Sequence, residues 1–306
     1  MRSTFSAKLN RAIEQKNSRV CVGLDPRLDW IPSSIKSVAI KHHGKTFEAG
    51  AEAILTYNKQ VIDVVAPLVP AVKPQVAFYE QFGPAGMQAF WDTVKYAQSS
   101  GLVVIADAKR GDIDSTAQAY ANAFLGTTNL FGTETSVFDV DCITVNPFLG
   151  EDSLLSFIKV CHTHGKGVFI LVKTSNPGSS DLQDQMVHDT SISTIVADII
   201  TKHTSTNLDE YGYSSIGAVV GATFPEEARR FRKQLPSSIF LVPGVGSQGG
   251  NSTDLKHFFN SDKLGAIVNS SRGITFSKQG QEGDQYLSLI EQETKSLVRA
   301  INSALQ

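Results

Sequence analysis

Long apolar runs are missing from this chain of 306 residues, and none approaches the roughly 20 residues that a membrane-spanning helix needs. No membrane partner is therefore expected. Cysteine is scarce, with Cys21, Cys142 and Cys161 the only three and no CxxC pair. That excludes a disulfide framework and the usual cysteine zinc sites. Two of the three lie in apolar, strand-like runs, so they read as reduced core thiols of a cytoplasmic protein. Residues 1–5 lack the apolar segment of a secretory signal, which fits the same compartment. An excess of positive charge is missing too: 28 Lys and Arg face 30 Asp and Glu, a net charge of -2. Nothing in that balance points to nucleic acid. Linkers, low-complexity tracts and composition shifts are absent, so the chain is expected to be one domain. The one close His/Cys grouping is Cys161-His162-Thr163-His164, with no further ligand cluster beside it. It is expected to be an exposed turn, and no metal site is expected. The remaining histidines are expected to be solvated.

What is present is a periodic alternation. Apolar runs of strand length occupy residues 19–25, 69–75, 102–106, 139–145, 167–173, 215–222, 239–242 and 264–269. Helical patterns fill most of the gaps, at 47–66, 86–99, 116–125, 152–161, 186–203, 225–234, 254–259 and 284–305, and a further amphipathic helix opens the chain at 5–16. Eight βα units in a chain of this length predict an α/β fold, a single (β/α)8 TIM barrel over residues 1–306. The segment 26–45, with Pro26, Pro32 and Gly44, reads as an irregular surface insertion after strand one.

Charge collects where strands end. The third strand runs into Asp107-Ala108-Lys109-Arg110-Gly111-Asp112, and a helical stretch follows from Thr116. Residues two apart on a strand share a face, so Asp107 and Lys109 point the same way. Asp25 ends strand one and Lys73 lies near the end of strand two. Neighbouring strand ends would bring all four charges to one mouth, where ligands bind in such folds. A structural ion-pair network is the competing reading, but buried ionic groups are costly unless well satisfied, which favours function. Glu80 reads as a solvated loop charge, and Phe78-Tyr79 and Phe258-Phe259 as packing residues.

Gly244-x-Gly246-x-x-Gly249 matches the dinucleotide fingerprint by pattern but not by place, since only about sixty residues follow it. In a barrel, the loops after strands seven and eight build phosphate sites from backbone N–H groups. Arg272, after strand eight, can add a bidentate guanidinium. A tight turn beside a surface arginine is the alternative.

Taken in order, Gly23-Leu24-Asp25, Lys73-Pro74-Gln75, Asp107-x-Lys109-x-x-Asp112-Ile113, Ser175-Asn176-Pro177-Gly178, Pro243 to Gly250 and Ser271-Arg272-Gly273 resemble the orotidine 5'-phosphate decarboxylase family in its longer form. The resemblance spans nearly the whole chain. Asp-x-Lys-x-x-Asp alone is shared with sugar-phosphate decarboxylases and synthases; the ordered set is far more specific. The resemblance implies conversion of orotidine 5'-monophosphate to UMP and CO2 without metal or cofactor, in a homodimer with shared active sites. It implies that Asp25 binds ribose hydroxyls and that Lys73 joins the charge network. Asp107 would face the substrate carboxylate, and Lys109 would protonate C6. Asp112 would complete the network from the partner subunit, with Thr116 touching the ribose there. Ser175 would bond the pyrimidine, and Pro243, Gly246, Gln248, Gly249 and Arg272 would bind substrate around the phosphate. Asp114 stands where many relatives have a small residue and is expected to cap the helix near Ser115.

The residue types suit that chemistry. Loss of CO2 leaves a ring carbanion without an adjacent electron sink, and no pyridoxal or thiamine pattern appears to supply one. Fixed charges must then carry it. Two other readings stay open at this point: a metal-dependent sugar-phosphate lyase or decarboxylase, and a catalytically silent nucleotide-binding barrel.

Overall fold

The computed structural model describes residues 3–245, 252–276 and 285–306. Eight strands form a closed barrel: β1 (Val20–Leu24), β2 (Ala71–Pro74), β3 (Val103–Arg110), β4 (Cys142–Val145), β5 (Gly167–Lys173), β6 (Ser214–Val220), β7 (Ser238–Val242) and β8 (Ala266–Ser270). All eight pairings are parallel, and β8 closes onto β1 with Val20 opposite Val268. The expected (β/α)8 architecture is therefore what the chain adopts.

Strand alternation divides the core in two. Val20, Val22 and Leu24 face outward onto the helices, as do Val104 and Ala106. Cys21, Ala71, Val103, Ile105, Cys142 and Phe169 fill the barrel interior. Helix α1 (Phe5–Lys16) plugs the amino end with Phe5, Leu9 and Ile13. Thr4 caps it by accepting from the Ala7 N–H. The Phe5 ring meets Phe169 edge-on at 5.7 Å. Gly167 makes that approach possible, because a Cβ there would lie 2.2 Å from the Phe5 ring. With its floor filled, the barrel can open only at the carboxyl ends of its strands.

Several local expectations need correction. The segment 26–45 is folded: a 3₁₀ turn (Leu28–Trp30) leads to helix α2 (Ser33–His43), which packs on α3 (Phe47–Val65) through Ile35 and Ala39. Pro32 is that helix's N-cap, a place where proline is tolerated rather than disruptive. The expected helix from residue 186 starts late. Met186–Val187 and Thr190–Ser191 pair as a small hairpin, and Ser191 then caps α8 (Ile192–Thr204), accepting from Thr194 N–H at 3.2 Å. A second hairpin, Thr128–Leu130 with Thr133–Thr135, turns through Phe131 and Gly132, both at positive φ. His162 and His164 belong to the last turn of α7 (Glu151–His164), and Cys161 is buried, so this motif is a helix end rather than an exposed turn. Asp114 makes no side-chain cap; it opens α6 (Asp114–Phe124) at φ 42°, a left-handed conformation that aspartate tolerates.

All three cysteines are buried and unpaired. Burial pushes the Cys21 thiol up to about 12. Glu80 ends the short helix α4 (Ala77–Glu80) and pairs with Arg110, while Tyr79 and Phe258 are fully buried.

Candidate active site

The carboxyl mouth of the barrel holds a cavity of about 580 Å³. Asp25, Lys73, Asp107, Lys109, Ser175, Pro243 and Arg272 all line it. Size alone does not single it out. A wider depression of about 760 Å³ lies over Ser191, Thr194, Arg229 and Lys233, but its charged residues are exposed.

Asp107 is the hub. Its position follows Val103 and Ile105 on the inward face of β3, so the carboxylate enters the barrel above an apolar floor. Lys73 Nζ donates to Oδ2 at 2.6 Å and Gln75 Nε2 to the same oxygen at 3.0 Å. Lys109 Nζ donates to Oδ1 at 2.6 Å and Thr144 Oγ1 at 2.9 Å. Burial alone would raise this carboxyl's pKa, but the two ammonium groups and their hydrogen bonds hold it well below the usual range. Burial would likewise lower Lys73, and the Asp107 and Asp25 carboxylates outweigh it, pushing Lys73 above the ordinary lysine value. Both groups therefore stay charged across the neutral range.

Asp107 and Lys109 converge as expected, but not by simple alternation. The β3–β4 register shifts between Ala106 and Arg110, and Lys109 sits at φ 48°. A bulky residue pays for that left-handed conformation, and such strain concentrates at functional sites. Thr144 secures it, accepting the Lys109 backbone N–H at 2.9 Å. While Lys73 is almost fully buried, the Lys109 side chain keeps 46% of its exposure. One ammonium is thus embedded and the other reaches into the open cavity.

Two acceptors at the mouth are incompletely used. Asp25 Oδ1 and Asn269 Oδ1 are buried and have no hydrogen-bond partner among the described residues. Buried polar atoms of this kind call for a partner, and a ligand hydroxyl or N–H would supply one. Arg27, also at the rim, lays its guanidinium 4.6 Å above the Trp30 ring.

The remaining expected positions divide. Asp112 and Thr116 do not line this cavity: Thr116 is exposed, and Asp112 accepts the Ile113 N–H. Gly246, Gln248 and Gly249 lie outside the described residues. Sequence reasoning assigned no role to Thr144, Gln75 or Asn269. A signal existed for Thr144 and Asn269, since each follows an inward apolar residue by two (Cys142 and Ile267) and puts a polar group where the barrel interior needs none.

A closed parallel barrel with an acid–base cluster at its carboxyl mouth defines an α/β-barrel enzyme of the kind that works on small molecules from its strand ends. The family model described as "Orotidine 5'-phosphate decarboxylase / HUMPS family" matches residues 18–286, and the chain belongs to that family. A protein of Rhodopirellula baltica called orotidine 5'-phosphate decarboxylase is 45% identical over 279 residues, 91% of this chain and 90% of its own. Another of that name from Caldicellulosiruptor bescii is 39% identical over 98% of this chain and 99% of its own. Among solved structures, Leishmania donovani OMP decarboxylase superposes with a TM-score of 0.75 at 31% identity, covering 99% of both chains. A Toxoplasma gondii structure reaches a TM-score of 0.80 at 30% identity over 99% of this chain and 97% of its own.

Proposed function

We propose that this chain converts orotidine 5'-monophosphate to UMP and CO2. The observation that carries the reading is the Asp107 carboxylate, kept ionised between Lys73 and Lys109 where the cavity opens. Asp107 faces the substrate carboxylate. Their repulsion in the bound state vanishes when the C6–carboxyl bond breaks and its carbon leaves as CO2. The electron pair of that bond stays on C6. Lys109 stabilises this charge and then transfers its proton to C6, which completes UMP. Lys73 fixes the Asp107 carboxylate in place.

The orphan acceptor of Asp25 suits a ribose hydroxyl, and Ser175 bonds the pyrimidine. Arg272, with the loop after β7, takes the phosphate, whose binding energy holds the reacting end in its strained arrangement. The residues themselves supply every charge this route needs. The competing sugar-phosphate reading wants an acidic metal cluster, and among the described residues no three His, Cys, Asp or Glu side chains gather to hold a metal ion.

The reading includes a homodimer. Asp112 and Thr116 lie outside their own cavity, while Ile113 (52% exposed) and Phe148 (74%) display apolar surface beside them. A second copy covering this surface would bring Asp112 and Thr116 to its partner's site. No described helix is long and apolar enough to cross a membrane, and three buried thiols fit the reducing cytoplasm.

Purified protein treated with EDTA should consume orotidine 5'-monophosphate and release UMP. Loss of all activity on chelation, or turnover only of pentulose or hexulose phosphates with magnesium, would refute the reading. Tight UMP binding without turnover would show a silent binding barrel instead. Mixing inactive Lys109→Ala and Asp112→Ala proteins should restore about a quarter of wild-type activity, because half the dimers then hold one intact site of two. No recovery on mixing would remove the shared-site arrangement.

A further inference from the structure

Lys173 is a fully buried lysine with no place in the chemistry above. It ends β5, two residues before Ser175. Leu171 and Thr174 line the cavity, but Lys173 does not. The cause is a register shift against β6: Val219 pairs with Leu171 and Val220 with Lys173, so Val172 and Lys173 together oppose one residue. A bulge of this kind re-aims a side chain, and here it turns Lys173 away from the cavity into which strict alternation would send it.

Behind the loop, the ammonium meets three groups from two other segments. Asp184 Oδ1 accepts from it at 2.5 Å, Glu227 Oε2 lies 3.8 Å away, and the Phe224 ring centre is 4.4 Å from Nζ. Asp184 belongs to the return leg of the loop that starts at Thr174. Its neighbour Gln183 grips Thr174 twice: Oε1 accepts the Thr174 N–H at 2.9 Å, and Nε2 donates to Oγ1 at 2.8 Å. Residues 183–184 are thus riveted to residues 173–174, and Ser175 is the next residue along. Ser175 is also pressed against β6, since a Cβ on Gly221 would lie 3.0 Å from the Ser175 backbone N. Its backbone is held between the tied loop and a glycine that leaves it room.

We infer that Lys173, through Asp184, is a positioning residue that fixes Ser175 at the pyrimidine end of the cavity. The inference rests on the reading of Ser175 as a pyrimidine contact. A buried ammonium is expensive, and a purely structural fastener would not need to sit at the root of a substrate-facing loop. Displacements on the order of 1 Å at a binding group cost about 100-fold in rate.

The test is a double-mutant cycle on kcat/KM for orotidine 5'-monophosphate. Lys173→Met should lower it about 100-fold in the wild-type background. In a Ser175→Ala background the same change should cost less than about threefold, since a residue acting through Ser175 has nothing left to position. Asp184→Asn removes the outer, more exposed partner and leaves the lysine beside Glu227; it provides the same cycle, with a loss of about tenfold, should Lys173→Met fail to fold. Equal losses in both backgrounds would overturn the inference while leaving the Ser175 reading intact. A Ser175→Ala protein with wild-type kinetics would remove the Ser175 reading itself, and the inference with it.

Discussion

Two buried cations answer the same physical problem in opposite ways. Arg232, on α9 (Pro225–Gln234), gives its donors to backbone carbonyls: Phe258 at 3.2 Å, Leu235 at 2.9 Å, Ser238 at 2.8 Å and Gly265 at 2.8 Å. Its plane rests on Phe240 at 3.6 Å. Among the described residues no carboxylate pairs with it, and burial lowers its guanidinium pKa to about 10, partly offset by Tyr213 and Asp262. Lys73 is buried just as deeply, yet its environment raises its pKa, because Asp107 and Asp25 face it. The arginine ties α9 to the strand ends on either side of it, and every acceptor around it is spoken for. Around the lysine, Asp25 Oδ1 and Asn269 Oδ1 remain unpaired among the described residues, beside an open cavity. A closed set of bonds marks a fastener; a charged set with acceptors to spare marks a place for a ligand.

If that division is right, changes at the mouth should fall on turnover and changes at Arg232 on stability. Lys109→Ala should make the sharpest case. The side chain is half exposed and Asp107 keeps Lys73, Gln75 and Thr144, so the fold should persist. Turnover should fall about 10⁴-fold through loss of proton donor and charge together. Steady-state kinetics with circular dichroism checks this, and retained turnover would end Lys109's role as donor. Arg232→Met should do the reverse. It takes the guanidinium donors from the buried Phe258, Leu235, Ser238 and Gly265 carbonyls, of which Leu235 and Gly265 keep the Ser238 and Phe240 N–H groups, so urea denaturation should show a loss of about 2–4 kcal/mol, with turnover per folded molecule unchanged. A stable but slow Arg232→Met protein would erase the contrast.

Acid should separate the two networks as well. Asp107's folded pKa lies below its unfolded value, so its charge contributes stability that is complete above the ordinary carboxylate range and fades as pH falls through and below it. Asp107→Asn should therefore cost about 3 kcal/mol at pH 7, with the gap to wild type narrowing below about pH 5. Denaturation curves between pH 7 and pH 4 measure it; a gap that widens in acid would reverse the assignment. At Arg272 the effect should be smaller and confined to phosphate. Arg272→Ala should raise the Michaelis constant by about 10- to 100-fold, the 1.5–3 kcal/mol of hydrogen bonds to a charged group. Equal losses on the nucleoside lacking phosphate would contradict it.

Much of this was readable in the sequence, and what was not has physical causes. Strand spacing and apolar runs gave all eight barrel strands to within a few residues, because a barrel strand buried on both faces is locally unmistakable. The convergence of Asp25, Lys73 and Asp107 followed from strand order, while Lys109 reaches the same mouth through a register shift and a left-handed backbone that alternation does not show. Helix α2 was hidden because Pro26, Pro32 and Gly44 read as breaks, whereas Pro32 and Gly44 bracket the helix. The hairpin at Met186–Ser191 was hidden because a capping serine and the helix behind it look helical from a distance. Asp112 and Thr116 could be named from the family pattern, but no periodicity in the chain reveals that they lie away from the cavity that Asp107 and Lys109 line.

Thr144 stands on the boundary between the two networks. A threonine inside a short β-branched run normally reads as strand packing. Its hydroxyl nevertheless does two jobs: it donates to Asp107 Oδ1 and accepts the N–H of Lys109, the residue held at positive φ. Thr144→Val keeps shape and burial and deletes both bonds. Stability should move by no more than about 1–2 kcal/mol. Turnover should fall about tenfold, because the strained Lys109 backbone loses the bond that holds its ammonium toward the cavity. Binding of UMP, which needs no proton transfer, should change far less. If the variant lost stability and kept its turnover, Thr144 would join Arg232 among the fasteners, and the line between the two networks would have to be redrawn inside the mouth itself.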